Sequence, residues 1–136
     1  MSPAHYLIDS SALFRIFTRG VREAWQDQLS AGIIAVCPVV EIEFLRSARS
    51  LADRLEKMRL LREVFAWVPM PETAFERSAE VQQLLTQRGE HRSAGAVDLL
   101  IAATAERARL IVLADDNDFT TIARITGQPV ARVIPR

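Results

Sequence analysis

Five short apolar runs punctuate this chain: HYLID at 5–9, IIAVC at 33–37, AWVPM at 66–70, RLIVLAD at 109–115 and VARVI at 130–134. Segments of helical periodicity separate them, and that alternation admits few folds. Strand, helix, strand repeated along a chain builds crossovers, which favour parallel pairing and need helices to cover the sheet. The expected fold class is therefore α/β, a three-layer α/β/α sandwich with a mainly parallel central sheet of four to five strands.

The helical segments carry recognisable starts and stops. SSALFRIFTRG begins on serines, which suit a helix start, and Gly20 is placed to end it. Val21, Trp25 and Leu29 then fall at i, i+4 and i+8, a narrow apolar stripe. Pro38 suits the first position of a helix running through VVEIEFLRSA, because its missing N–H is an orphan there anyway. The run 50–65 places Leu51, Leu55, Met58 and Leu60 or Leu61 on one side, opposite alternating charges. A longer helix runs from about 72 to 88, GEHRSAG reads as a loop, and AVDLLIAATAERA is so apolar that most of its circumference must be buried. FTTIARITG is a short helix closed by Gly127.

With 136 residues and no repeat, linker or low-complexity tract, residues 1–136 read as a single domain. Cys37 is the sole cysteine, so no internal disulfide forms and nothing demands an oxidising compartment; its place before Pro38 at a buried strand end suits an inert core thiol. No membrane-span-length apolar stretch or signal-like leader is present, and the cytoplasm is the expected location. Seventeen basic and seventeen acidic residues leave a net charge of zero, so contact with a polyanion has to come from local patches. Sixteen of the seventeen basic residues are arginine, which favours bidentate phosphate contacts but equally fits a general arginine bias.

Asp9, Glu43, Asp98 and Asp116 lie far apart, each where an apolar run ends or a helix begins. Parallel α/β sheets collect ligands beyond the carboxyl ends of their strands, where Asp9 and Asp116 project. Asp9 also suits a helix cap, and Asp116, within Asp115-Asp116-Asn117-Asp118, also suits an Asx-rich turn. Asp98 shares a helical face with Ile101, Ala102 and Ala105, where a carboxylate is costly to bury; it needs either the helix dipole or a cation. Glu41 and Glu43 point to nearly opposite sides of one helix with apolar residues flanking both, and periodicity does not choose between them. Gathered together, such acids form a site for magnesium or manganese, which prefer carboxylate oxygens, keep several waters and take substrate phosphates as further ligands. His5 and His91 are poorly placed for a zinc centre. No phosphate-binding glycine loop is present, the single lysine, Lys57, lies in an amphipathic helix, and Ser10 and Ser11 lack the setting of a hydrolase elbow.

Four strings in order, YLIDSSAL, CPVVEIEFLRSA, AVDLLIAATA and LADDNDFTTIA, resemble the PIN-domain ribonucleases, and specifically the VapC toxins of bacterial toxin–antitoxin pairs. The likeness spans nearly the whole chain. It implies a parallel sheet between helices, endonucleolytic cleavage of RNA dependent on magnesium or manganese and using a metal-activated water, a homodimer, and inhibition by a VapB antitoxin. Carried over by residue, it assigns the metal-holding and catalytic acids to Asp9, Glu43, Asp98 and Asp116, with Ser11 and Asp118 accessory, and leaves Glu41 as a neighbour. Asp115, just before the last motif, departs from the pattern, and its place in or out of the pocket is open.

Arg15, Arg46 and Arg92 are candidate substrate-binding residues, being near the acids in sequence as is Arg19, with solvated surface charge as the plainer account of each. Phe14, Trp25 and Phe65 suit either an antitoxin groove or the core. The competing readings are a receiver-like, non-catalytic magnesium-binding module and a magnesium-dependent phosphatase. A receiver needs a lysine late in the chain, where this one has none, and a phosphatase commonly opens with D-x-D, where this chain has Asp9-Ser10-Ser11.

Overall fold

The computed structural model describes residues 3–134, and all five of its strands join one parallel sheet in the order β3-β2-β1-β4-β5. The strands are β1 (Tyr6–Ile8), β2 (Ile34–Val36), β3 (Ala66–Trp67), β4 (Ile111–Ala114) and β5 (Val130–Arg132). The helices are α1 (Ser10–Ile16), α2 (Arg19–Ala24), α3 (Gln26–Ala31), α4 (Pro38–Leu45), α5 (Leu51–Val64), α6 (Ala74–Gln87), α7 (Ala96–Ala108) and α8 (Thr120–Thr126). A 3₁₀ turn at His91–Ser93 interrupts the segment expected to be plain loop.

The chain steps from β1 to β2 to β3 in one direction, then returns across the sheet to β4 and β5. Right-handed crossovers therefore place α1 to α5 on one face and α6 to α8 on the other. The packing agrees: α6 lies against α7 and α8, and α1 against α4, which in turn meets α5. The order reverses at β1, between its neighbours β2 and β4, the point at which parallel α/β sheets collect ligands beyond the strand ends.

Burial follows the sequence pattern on α7, where the seven residues Leu99 to Ala105 are all buried. Two expectations fail, and one apolar stripe is left partly uncovered. Gly20 ends no helix: α1 stops at Ile16, and Gly20 lies inside α2. The stripe Val21-Trp25-Leu29 is split at Trp25, whose backbone leaves the helical region (φ −108°, ψ 13°). Tertiary anchoring accounts for the break, because the Trp25 ring meets Tyr6 edge-on at 5.4 Å and its Nε1 donates to the Val133 carbonyl at 2.7 Å. Finally, the apolar side of α5 is not a core face along its length: Leu61 is buried, but Leu51 and Leu55 are 72% and 56% exposed. The amino-terminal half of α5 runs past the edge of the core.

Candidate active site

The backbone N–H of Asp9 donates to the Leu113 carbonyl at 3.0 Å, continuing the β1–β4 ladder one residue past the strand. The chain then turns into α1 with Asp9 as its N-cap, so the Asp9 carboxylate accepts from Ala12 N–H at 2.8 Å and from the Ser11 hydroxyl at 2.8 and 2.9 Å. Ser11 Oγ in turn accepts from Asp115 N–H at 3.2 Å, stitching the β1 and β4 ends together. The cap reading of Asp9 is thus correct and leaves the functional reading intact, since a capping carboxylate still has lone pairs to offer.

Glu43 reaches the same end of the sheet from α4, where Ser10 Oγ donates to its Oε1 at 2.6 Å. Glu41 turns the other way and lies beside Arg62 of α5, Oε1 to Nη1 at 2.7 Å, as a contact without hydrogen-bond alignment, while Nη2 donates to Oε2 at 3.3 Å. Asp98, in the first turn of α7, receives a long bond from Gly95 N–H at 3.4 Å. Asp116 Oδ1 accepts from Asp118 N–H at 3.1 Å, the Asx turn expected of that run. Asp115 leaves the group and pairs with Arg15, Oδ2 to Nε at 3.2 Å.

The acids feel one another. Burial foremost, then the Asp116 and Asp98 charges, push the Asp9 carboxyl up to about 7 despite the opposing bonds from Ala12 and Ser11. Burial, with Asp118, Asp116 and Glu43 adding repulsion, raises Asp98 to about 6. Asp118 is raised too, by burial and then by Asp116. Asp9, Glu43, Asp98 and Asp116 form no salt bridge among the described residues. Carboxylates close enough to repel one another and lacking a basic partner, with no nitrogen or sulfur donor among them, fit a hard divalent cation. Among the described residues, no three His, Cys, Asp or Glu side chains are drawn into one tight chelating cluster. Like charges separate without a counter-ion, and an ion that retains several waters needs only one or two direct carboxylates.

Of the candidate substrate contacts, Arg15 follows Ser11 by one helical turn and is held by Asp115; Arg46 is exposed just past α4, three residues after Glu43; and Arg92 is exposed in the 3₁₀ turn preceding α7. Phe65 is core and Trp25 is anchored as described, while Phe14 is 47% exposed. Cys37 is buried, and that burial pushes its thiol up, as an inert core cysteine requires. Two residues beside the acids escaped the sequence reading: Ser10, whose capping setting hid its bond to Glu43, and Arg132, which lies in β5 but donates to Asn117 Oδ1 at 2.7 Å, beside Asp116. Strand alternation alone carries no signal for either contact.

The family model of the PIN domain matches residues 6–125. Ribonuclease VapC21 of Mycobacterium tuberculosis is 39% identical over 95% of this chain and 94% of its own length. Ribonuclease VapC2 of the same species is 36% identical over 100% of this chain and 97% of its own length. The chain belongs to the PIN-domain family and, within it, to the VapC ribonucleases. Its fold is similar to that of DNA-bound VapBC from Salmonella typhimurium, with a TM-score of 0.77 at 18% identity over 96% of this chain and 99% of the other. It also resembles a toxin–antitoxin complex from Klebsiella pneumoniae, with a TM-score of 0.68 at 24% identity over 96% and 99% of the two chains.

Proposed function

We propose that this chain is the toxin of a type II toxin–antitoxin pair, a metal-dependent endoribonuclease that hydrolyses RNA phosphodiester bonds beyond the ends of β1 and β4. The observation carrying this reading is the convergence of Asp9, Glu43, Asp98 and Asp116, with Asp9 and Asp98 raised in pKa by burial and by the neighbouring carboxylates, in a chain of the VapC family. Asp9, Glu43 and Asp98 would hold the principal ion, directly or through its retained waters, and Asp116 would support it or a second one; magnesium or manganese suits this all-oxygen donor set. When bound, such an ion neutralises charge on the phosphodiester and lowers the pKa of water enough to make it a nucleophile at neutral pH.

The protein's own share of the work is orientation. Ser11 fixes the Asp9 carboxylate, Ser10 fixes Glu43, and the Asx turn fixes Asp116 relative to Asp118. Arg15, Arg46 and Arg92 are the proposed phosphate contacts around the rim; they supply local positive charge in a chain of net charge zero.

A VapB-type antitoxin is the proposed partner. Phe14 of α1, Ile42 of α4, and Leu51 and Leu55 of α5 are exposed on helices that pack in succession, α1 on α4 and α4 on α5, which suits an antitoxin segment laid along them. We further read residues 1–136 as one PIN domain that acts in the cytoplasm as a homodimer. No described helix is long and apolar enough to cross a membrane. The receiver-like alternative gains nothing from the geometry, since Lys57 is tied to Asp53 at 2.8 Å in α5.

Antitoxin-free protein is expected to cut RNA with magnesium, to stop with EDTA, and to leave a small chromogenic phosphate ester intact. Asp98→Asn is expected to abolish cutting. An Asp98→Asn variant that cuts RNA at the parent rate would refute the assignment.

A further inference from the structure

A cleft of about 390 Å³ opens off the acids between α8 and β5, with Asp116 at one end and Asn117, Ala123, Arg124, Val130 and Arg132 along its walls. That volume lies within the roughly 300–1,000 Å³ typical of small-molecule sites. Val130, 38% exposed, and Ala123 supply apolar surface for the plane of a ring. The polar lining is rich in donors. A guanidinium can only donate, so the bond from Arg132 Nη2 at 2.7 Å occupies the carbonyl oxygen of Asn117 and leaves its amide nitrogen as a donor. Arg132 Nη1 is buried and has no hydrogen-bond partner among the described residues. Nη1 is shielded, so the second hydrogen of Arg132 Nη2 and the Asn117 amide nitrogen are the donors left to meet a ligand in the cleft.

We propose that this cleft is a nucleobase subsite for the RNA nucleotide next to the scissile phosphate, and that Arg132, with Asn117 beside it, selects guanine there. The inference rests on the ribonuclease reading above and extends it to substrate choice. Single-stranded RNA is read by splaying a base out of the strand, packing its face and bonding its edge. Guanine presents two adjacent acceptors, O6 and N7, which suit two neighbouring donors, here Arg132 Nη2 and the Asn117 amide. Arg124 also lines the cleft, with its charge partly met by Glu90 at 3.6 Å. Asp116 belongs both to this cleft and to the acidic group, so a nucleotide seated here has its backbone at the catalytic acids.

Two measurements test the proposal, both on the full chain freed of antitoxin. In the first, a random single-stranded RNA pool is cut with magnesium and the fragment ends are sequenced. Cuts are expected to concentrate at one fixed offset from guanine, and Arg132→Ala should lower the ratio of cutting at guanine sites to cutting at other sites by about tenfold. An Arg132 that merely clamps the loop carrying Asp116 would instead slow every site equally. That result, or a cut pattern indifferent to guanine, overturns the proposal.

In the second, the Asp98→Asn variant is titrated without metal against 5′-GMP, 5′-AMP and 7-deaza-GMP, and backbone amide shifts are followed by NMR. GMP is expected to move the signals of Asn117, Val130 and Arg132, with the other two nucleotides about tenfold weaker. Equal responses to all three, or no response, overturn the subsite. If the parent protein fails to cut RNA while GMP still binds selectively, the nuclease reading falls and the subsite stands.

Discussion

Ser10 Oγ and Glu43 Oε1 lie 2.6 Å apart across thirty-three residues of sequence, the shortest link between the helix that follows β1 and the one that follows β2. The bond holds the longest of the four acidic side chains in place. Ser10→Ala is expected to raise the magnesium concentration needed for half-maximal cleavage by about tenfold, as is usual when a partner of a metal ligand is removed. Thermal stability should fall by only about 1 kcal/mol. A magnesium titration of cleavage by the two proteins, with melting curves alongside, measures both effects.

Asp9 both caps α1 and supplies a carboxylate, and substitution separates the two roles. Asn caps as well as Asp does, so Asp9→Asn should lose cleavage yet keep the fold, and in EDTA at pH 8 it should melt above the parent because a buried charge is gone. Asp9→Ala should be equally inactive and about 1 kcal/mol less stable than the Asn variant. Denaturant unfolding of the three proteins decides.

Folding stability should depend on pH in a direction set by the raised acids. Asp9 and Asp98 titrate at about 7 and about 6 when folded, against an ordinary value of 3.8, so the folded chain holds these protons more tightly than the unfolded one. Their contribution to stability is complete below about pH 4 and is lost as the pH rises towards 7. In EDTA the melting temperature at pH 8 should therefore be lower than at pH 5, with Asp9→Asn removing most of the difference. Magnesium should raise it more at pH 8, where the carboxylates are ionised.

Asp115 is set apart from its neighbour by its salt bridge to Arg15, with both side chains partly solvated. Asp115→Asn is expected to shift stability by under about 1 kcal/mol, in line with exposed ion pairs, and to leave the magnesium dependence of cleavage unchanged. Asp116→Asn should weaken magnesium binding. Isothermal titration of magnesium into each variant distinguishes the two adjacent aspartates.

Much of this was legible in the sequence because the signals are local. Apolar runs bounded by turn residues located the strands, Pro38 located the start of α4, and the unbroken burial of Leu99 to Ala105 follows directly from composition. Asp9, Asp98 and Asp116 stood out because each follows a strand or lies in the first turn of a helix, where parallel sheets collect ligands, whereas Glu43, deep in α4, was singled out only by the family resemblance. What escaped depends on contacts distant along the chain. The kink at Trp25 needs Tyr6 and Val133, the choice between Glu41 and Glu43 needs Arg62 and Ser10, and the fate of Asp115 needs Arg15. Leu51 and Leu55 show the limit of periodicity: a helical stripe reveals which residues lie together, not whether anything covers them.

β1 lies in the middle of the sheet with neighbours on both sides, whereas β5 lies at its margin with one. Changes around Asp9 disturb two ladders at once, while changes around Arg132 disturb one. A substitution that alters base preference at the margin of the sheet therefore costs the fold less than one made beside its central strand.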